Sequence, residues 1–391
     1  MLIVRCLVLS GLMLALLGCS ANESILSDSD ANKALVEFPQ PASNFSAYRE
    51  QVLAFLRKNS LPNRSESDIK LNLPFEIAAR KSVAYRGKFL LIHGLNDSTY
   101  VWHDMAQALS ARGFDVRAIL LSGHGSHPGQ LLDLSYSQWL SESRQHLRLW
   151  NTDNTPIYLG GFSMGGVIAT ILALENPEIA GLLLFSPAFH SRLNSLLRWS
   201  WLYAWYKPWM FGGLIIEDNP VKYNSIPINS GTQYYRITEY LKDYWGERTL
   251  SMPVLVVASI NDSVVDVEYT RNLFQHRFTS ERRQLLLYSE DPGTERKKDE
   301  VIRSGAYPGQ RILNQSHLSL INSPRNPLFG ESGKVLVCNG NKYPVFMACM
   351  RATGHWYGAQ HTPSPDGVAV ARTTYNPDFG SVLTLFEQVF Y

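Results

Sequence analysis

Charged residues are scarce in this chain. Asp, Glu, Lys and Arg make up 18% of its 391 residues and nearly cancel, leaving a formal net charge of +2. A nucleic-acid binder concentrates basic residues on one surface, so this even balance excludes nucleic acid as an expected partner. No His-Glu-x-x-His segment and no clustered cysteine and histidine ligand set is present, so neither a metal nor another cofactor is expected. There is no internal repeat, and the composition is not that of a disordered chain. The apolar run near the start, Cys6 to Leu17, is too short to span a bilayer comfortably. Apolar material is otherwise plentiful: 45% of residues are hydrophobic and 12% aromatic, enough for a large core and a second small layer.

Met1 to Arg5 is a short, weakly positive start, and with the apolar run behind it reads as an export signal. Leu16-Leu17-Gly18-Cys19 resembles the lipobox of bacterial lipoproteins. That resemblance implies cleavage before Cys19, lipidation of Cys19, and anchoring to a membrane through more than one acyl chain. With Ser20 next in the chain, it also implies a cell-envelope location at the outer membrane. The alternatives are a plain secretory signal or an uncleaved anchor. Residues 1–18 are thus expected to be a signal peptide. Residues 19–41, rich in Ser, Asn, Asp and Ala, are expected to be a flexible tether. Cys338 and Cys349 then remain, and an even pair in an oxidising compartment favours a disulfide over two buried free thiols. Closing so short a loop adds about 2–3 kcal/mol in the chain-entropy description.

From about Phe89 the pattern alternates. Apolar runs lie at Phe89–Ile92, Val116–Leu121, Pro156–Leu159, Gly181–Phe185, Pro253–Ala258 and Gln284–Tyr288. They lack in–out alternation, which suits strands buried on both faces of a parallel sheet. Helical patterns fall between them, at Thr99–Arg112, Ser137–Leu149, Met164–Glu175 and Val267–Phe278. The expected class is α/β, a mostly parallel sheet with helices on both faces, its core divided between residues 42–188 and 251–391. Residues 189–250 carry Trp199, Trp201, Trp205, Trp209 and Trp245 and are too long for a loop, so a helical cap is expected there. Residues 323–375 hold the cysteine pair and read as a disulfide-tied hairpin excursion before a last helix, Pro377–Phe390. The charge run at 295–300, within an insertion from Glu290 to Gly309, reads as solvated.

Gly161-Phe162-Ser163-Met164-Gly165 fits Gly-x-Ser-x-Gly between an apolar strand and a helical run. That context makes Ser163 a candidate nucleophile on a strand-to-helix elbow. A turn this tight has no room for side chains two residues either side of the serine, which is why glycines flank it. The bland alternative is a glycine-rich turn with an incidental serine. A serine needs a base, and on such an elbow the acid and then the histidine follow along the chain. Asp262, just beyond the strand ending at Ala258, is the expected acid, while Asp266 is expected to cap the next helix. His317 is the expected base, ahead of His355 and His361. The oxyanion of a tetrahedral intermediate needs fixed donors, expected from the backbone N–H of Met164 and of Leu95. His93 and His124 are expected to be structural.

The set His93-Gly94, Gly123-His124-Gly125, Gly161-Phe162-Ser163-Met164-Gly165, Asp262 and Ser316-His317 resembles the monoacylglycerol lipase and lysophospholipase branch of the α/β-hydrolases. The likeness runs from about Lys88 to Leu320. It implies an α/β-hydrolase fold with an inserted cap, Ser163, Asp262 and His317 as a triad, and an acyl ester or lipid as substrate. A thioesterase or peptidase on the same scaffold, or a non-catalytic binding lipoprotein, are the alternatives.

Overall fold

The computed structural model describes residues 36–210, 218–338 and 343–391. The expected signal peptide, Cys19 and most of the expected tether lie outside them. Eight strands form one sheet: β1 (Phe75–Ile77), β2 (Gly87–Ile92), β3 (Phe114–Ile119), β4 (Ile157–Phe162), β5 (Gly181–Phe185), β6 (Val254–Ser259), β7 (Arg283–Ser289) and β8 (Glu300–Ser304). Their order is β1-β3-β2-β4-β5-β6-β7-β8. All neighbours are parallel except β1, which runs antiparallel to β3. Every residue of β2, β5 and β6 is buried, as covering both faces requires.

Helices α1 (Phe45–Asn59) and α2 (Glu66–Leu71) precede the sheet; α3 (His103–Ser110), α4 (Tyr136–Trp150) and α5 (Met164–Glu175) connect its first strands. Helices α6 (Asn194–Leu197), α7 (Ser200–Tyr206) and α8 (Ile228–Trp245) lie between β5 and β6. Then come α9 (Val267–Arg277), α10 (Tyr343–Arg351) and the last helix, α11 (Phe379–Phe390). The pleat of β2 sorts its side chains into two cores. Leu90 and Ile92 join Trp139, Ile168 and Phe274 on one face. Phe89 and Leu91 join Met105, Phe114 and Phe386 on the other. This architecture is the α/β-hydrolase fold.

Three expectations are corrected. The insertion before Gly309 is a solvated charge run only in part: Glu295, Arg296 and Lys298 are exposed. It supplies β8, and Glu300 is fully buried there. The fork of Arg271 explains this: its Nε and Nη2 donate to the two oxygens of Glu300 at 3.0 and 2.8 Å, so the carboxylate enters the interior paired. Next to it Asp299 accepts from Arg283 Nε at 2.8 Å.

The excursion is not a hairpin either, because its two strands, β9 (Trp356–Gly358) and β10 (Val370–Arg372), pair in parallel. Parallel neighbours need a crossover, which the residues between them provide. The disulfide between Cys338 and Cys349 is present, with Cα atoms 6.0 Å apart, and packs against Ala371.

Third, the end of the stretch expected to be tether is packed against the fold. Phe38 is buried and meets Phe55 edge-on with ring centroids 5.1 Å apart. Among the described residues no helix is long and apolar enough to cross a membrane.

Candidate active site

Ser163 sits where β4 turns into α5, at φ +54° and ψ −120°. This is a strained conformation for a residue with a Cβ, of order 1–3 kcal/mol, and it persists only because the surroundings enforce it. Ser163 N donates to Phe185 O at 3.0 Å, and Ser163 O accepts from Gly166 N at 2.9 Å and Ala188 N at 3.0 Å. The flanking glycines are sterically required. A Cβ on Gly165 would lie 2.1 Å from Ile92 O, and one on Gly161 would lie 2.5 Å from both Gly165 O and Gly166 Cα.

Asp262 lies in the loop after β6 and is fully buried. Its Oδ1 accepts from Val264 N at 2.8 Å and Val265 N at 3.1 Å. Its Oδ2 accepts from His317 Nδ1 at 2.6 Å. Burial alone would raise its pKa. The imidazole of His317 and the two backbone donors outweigh burial and hold the carboxyl below the usual carboxylate range. A histidine that gives its Nδ1 proton to a carboxylate leaves Nε2 as the free basic nitrogen.

Three strand ends hold the His317 loop over the carboxyl ends of the central strands, where Ser163 lies. Ser186 Oγ, after β5, donates to His317 O at 3.3 Å. Ser259 Oγ, at the end of β6, donates to Gln315 O at 2.8 Å. Phe162, the last residue of β4, packs against the imidazole with ring centroids 5.2 Å apart. No hydrogen bond joins Ser163 Oγ to His317 among the described residues. Such contacts are often long before substrate binds.

The loop after β2 crowds Ser163 from the other side, where a Cβ on Gly94 would lie 3.0 Å from Ser163 Cβ. Among the described residues neither Leu95 N nor Met164 N makes a hydrogen bond. Both donors are therefore without a partner among the described residues, and Met164 N stands at the start of α5, at its positive dipole end. His93 shapes this loop. It accepts from Leu121 N through Nε2 at 3.1 Å and donates from Nδ1 to Gly94 O at 2.8 Å. Burial holds His93 well below its usual range, and burial likewise draws its neighbour His124 down to about 4. Both are neutral structural groups.

Other sequence candidates go elsewhere. Asp266 caps α9 by accepting from Tyr269 N at 3.0 Å and pairs with His190 at 3.2 Å. His355 donates from Nε2 to Cys349 O at 2.8 Å, in the excursion, and His361 is exposed. Ligand atoms of Cys338, Cys349 and His355 lie within 4.8 Å of one another, but both sulfurs are spent in the disulfide. Sequence reasoning missed Ser186, Ser259 and Arg372. No local signal marks them, because each acts on a loop far away in the chain.

The fold, with Ser163 on its strand-to-helix elbow and Asp262 bonded to His317, is that of an α/β-hydrolase. The profile of the serine aminopeptidase S33 family matches residues 84–220. A thermostable monoacylglycerol lipase from Bacillus sp. (strain H-257) is 27% identical over 93 residues, which is 24% of this chain and 37% of that lipase. The match therefore spans just over a third of that relative. Among solved structures, a monoacylglycerol lipase from Paleococcus ferrophilus is 20% identical, covering 55% of this chain and 87% of that one, at a TM-score of 0.45. A soluble variant of monoglyceride lipase from Saccharomyces cerevisiae is 16% identical, covering 55% and 82%, at a TM-score of 0.46.

Proposed function

We propose that this chain is a serine hydrolase of acyl esters, with Ser163 as nucleophile, His317 as base and Asp262 as the acid that orients it. The observation that carries the reading is the 2.6 Å contact of Asp262 Oδ2 with His317 Nδ1, at the carboxyl ends of the strands, where the strained Ser163 lies. Ser163 Oγ attacks the ester carbonyl as His317 Nε2 takes its proton. The oxyanion rests on Leu95 N–H and Met164 N–H. The imidazolium then protonates the leaving alcohol, and water hydrolyses the acyl-enzyme by the same steps.

The S33 profile gives an aminopeptidase reading its own support. Such an enzyme must hold the substrate's ammonium with a carboxylate. Asp97, which crowds Gly94 beside Ser163, is already bound by Lys222 Nζ at 2.9 Å, and this favours a neutral substrate. Initial rates on p-nitrophenyl esters, acyl thioesters and aminoacyl amides separate the readings. Esters are expected to be fastest. Amides turning over faster than esters would sink the proposal.

The substrate class extends to lipid because of the face that α6 and α7 present. Leu196, Trp199, Trp201, Trp205 and Tyr206 are exposed, Trp205 by 89%. From 189 to 210 there is no acidic residue, while Arg198 and Lys207 are present. Tryptophan and tyrosine with a basic fringe suit the headgroup region of an anionic bilayer, to which acyl chains on Cys19 would tether the domain. No tryptophan precedes Trp102. Emission of the full-length chain therefore reports on the domain and not on the anchor. Vesicles of brominated anionic phospholipid are expected to quench it, and Trp205→Ser to weaken the quenching sharply. Emission that is blind to the vesicles would refute the lipid-surface reading.

A further inference from the structure

The excursion brings a desolvated cation to the back of the acid loop. Arg372 is the last residue of β10, and its Nη1 donates to Ser263 Oγ at 2.9 Å while Nη2 donates to Gln360 Oε1 at 2.9 Å. Ser263 adjoins Asp262 in the chain. Burial draws the guanidinium down to about 10, and the Asp262 carboxylate offsets part of that drop, so Arg372 remains charged at neutral pH. The strand that carries it is fixed. Arg372 N donates to Val337 O at 2.8 Å, Thr373 N donates to Gly358 O at 3.0 Å, and Ala371 packs on the Cys338–Cys349 disulfide. The next residue reaches the other loop: Thr373 Oγ1 donates to Asn314 O at 2.7 Å, and Thr373 O accepts from Ser316 Oγ at 2.6 Å. The end of this short strand thus grips the Asp262 loop through Arg372, and the residue after it, Thr373, grips the His317 loop.

We propose that Arg372 is a positioning residue whose charge keeps the Asp262–His317 pair in its unprotonated, reactive form. The proposal rests on the triad reading above. A cation behind Asp262 favours the carboxylate and disfavours a second positive charge on the imidazole, so both members of the pair bind protons less readily. Other groups face this pair. Tyr234, raised by burial and then by Asp262, stays neutral and donates to Ala188 O at 2.9 Å. Arg192 reaches in from the cap to Ile260 O at 3.3 Å and Val265 O at 3.4 Å, but it is exposed and screened. Asp266 pairs with His190, and Glu290 accepts from Asn261 at 2.6 Å. Arg372 differs from these in joining a lasting charge to desolvation.

The test is the pH profile of kcat/KM on a p-nitrophenyl ester, with full-length protein. Arg372→Met is expected to move the acid limb up by about one pH unit. Arg372→Lys keeps the charge but loses the fork and is expected to restore the limb. Gln360→Glu places an opposing charge at Nη2 and is expected to move the limb in the same direction as Arg372→Met, by less; it decides the matter if Arg372→Met does not fold. A folded Arg372→Met with the wild-type limb overturns the proposal, as does Arg372→Lys behaving like Arg372→Met. Fluorophosphonate labelling of wild type separates the two failures. Labelling of Ser163 with unmoved limbs removes only the role of Arg372, whereas a wild type without label removes the triad reading and this proposal with it.

Discussion

Ser163→Ala is expected to lower ester turnover by about 10⁵–10⁶-fold, with the fold intact. The whole reaction passes through one oxygen, and alanine lacks it. Alanine adopts φ +54° no more easily than serine, so the backbone strain is unchanged and the melting temperature should stay close to wild type. His317→Ala is expected to cost nearly as much, since a serine without a base is a poor nucleophile. The double variant should be no worse than either single one, because the pair acts as a unit. Initial rates and thermal melts on the three variants check this. Ser163→Ala retaining more than about a hundredth of the activity would be incompatible with a serine mechanism.

Asp262→Asn is the second large effect, expected to be about 10⁴-fold in kcat at neutral pH. The asparagine can keep its Oδ1 toward Val264 N and Val265 N, which hold that oxygen now. Its amide then faces His317 as a donor, where Oδ2 had accepted from Nδ1 at 2.6 Å. The imidazole answers by moving its proton to Nε2, the nitrogen that must be free to take the serine proton. The geometry survives while the chemistry stops. A melting temperature near wild type combined with the rate loss is the expected signature. A loss of only a few fold would mean that Asp262 serves its loop and not the base.

Much of the fold was legible because the physics is local. Continuous apolar runs such as Phe89–Ile92 and Gly181–Phe185 suit strands buried on both sides, and they are such strands. The elbow was legible for the same reason, since its glycines and strand-then-helix context sit within a few residues of Ser163. Asp262 and His317 could be named because an elbow of this kind constrains which strand ends follow it.

What escaped was long-range. Glu300 looked solvated because its partner, Arg271, lies 29 residues away, and nothing in the charge run announces the pairing. β1 is three residues long and half-buried on a sheet edge, too short to leave a pattern. Arg372 lies in a glycine- and proline-rich stretch, and its proximity to Ser263 arises across 109 residues.

The central claim is that His317, and not the histidine of the excursion, activates Ser163. Fluorophosphonate labelling of folded full-length protein, with the adduct mapped by mass spectrometry, measures this most directly. The account predicts an adduct on Ser163 in wild type and in His355→Ala, and its loss in His317→Ala. An adduct that survives His317→Ala but vanishes in His355→Ala, or a folded wild type with no adduct on Ser163, would contradict it.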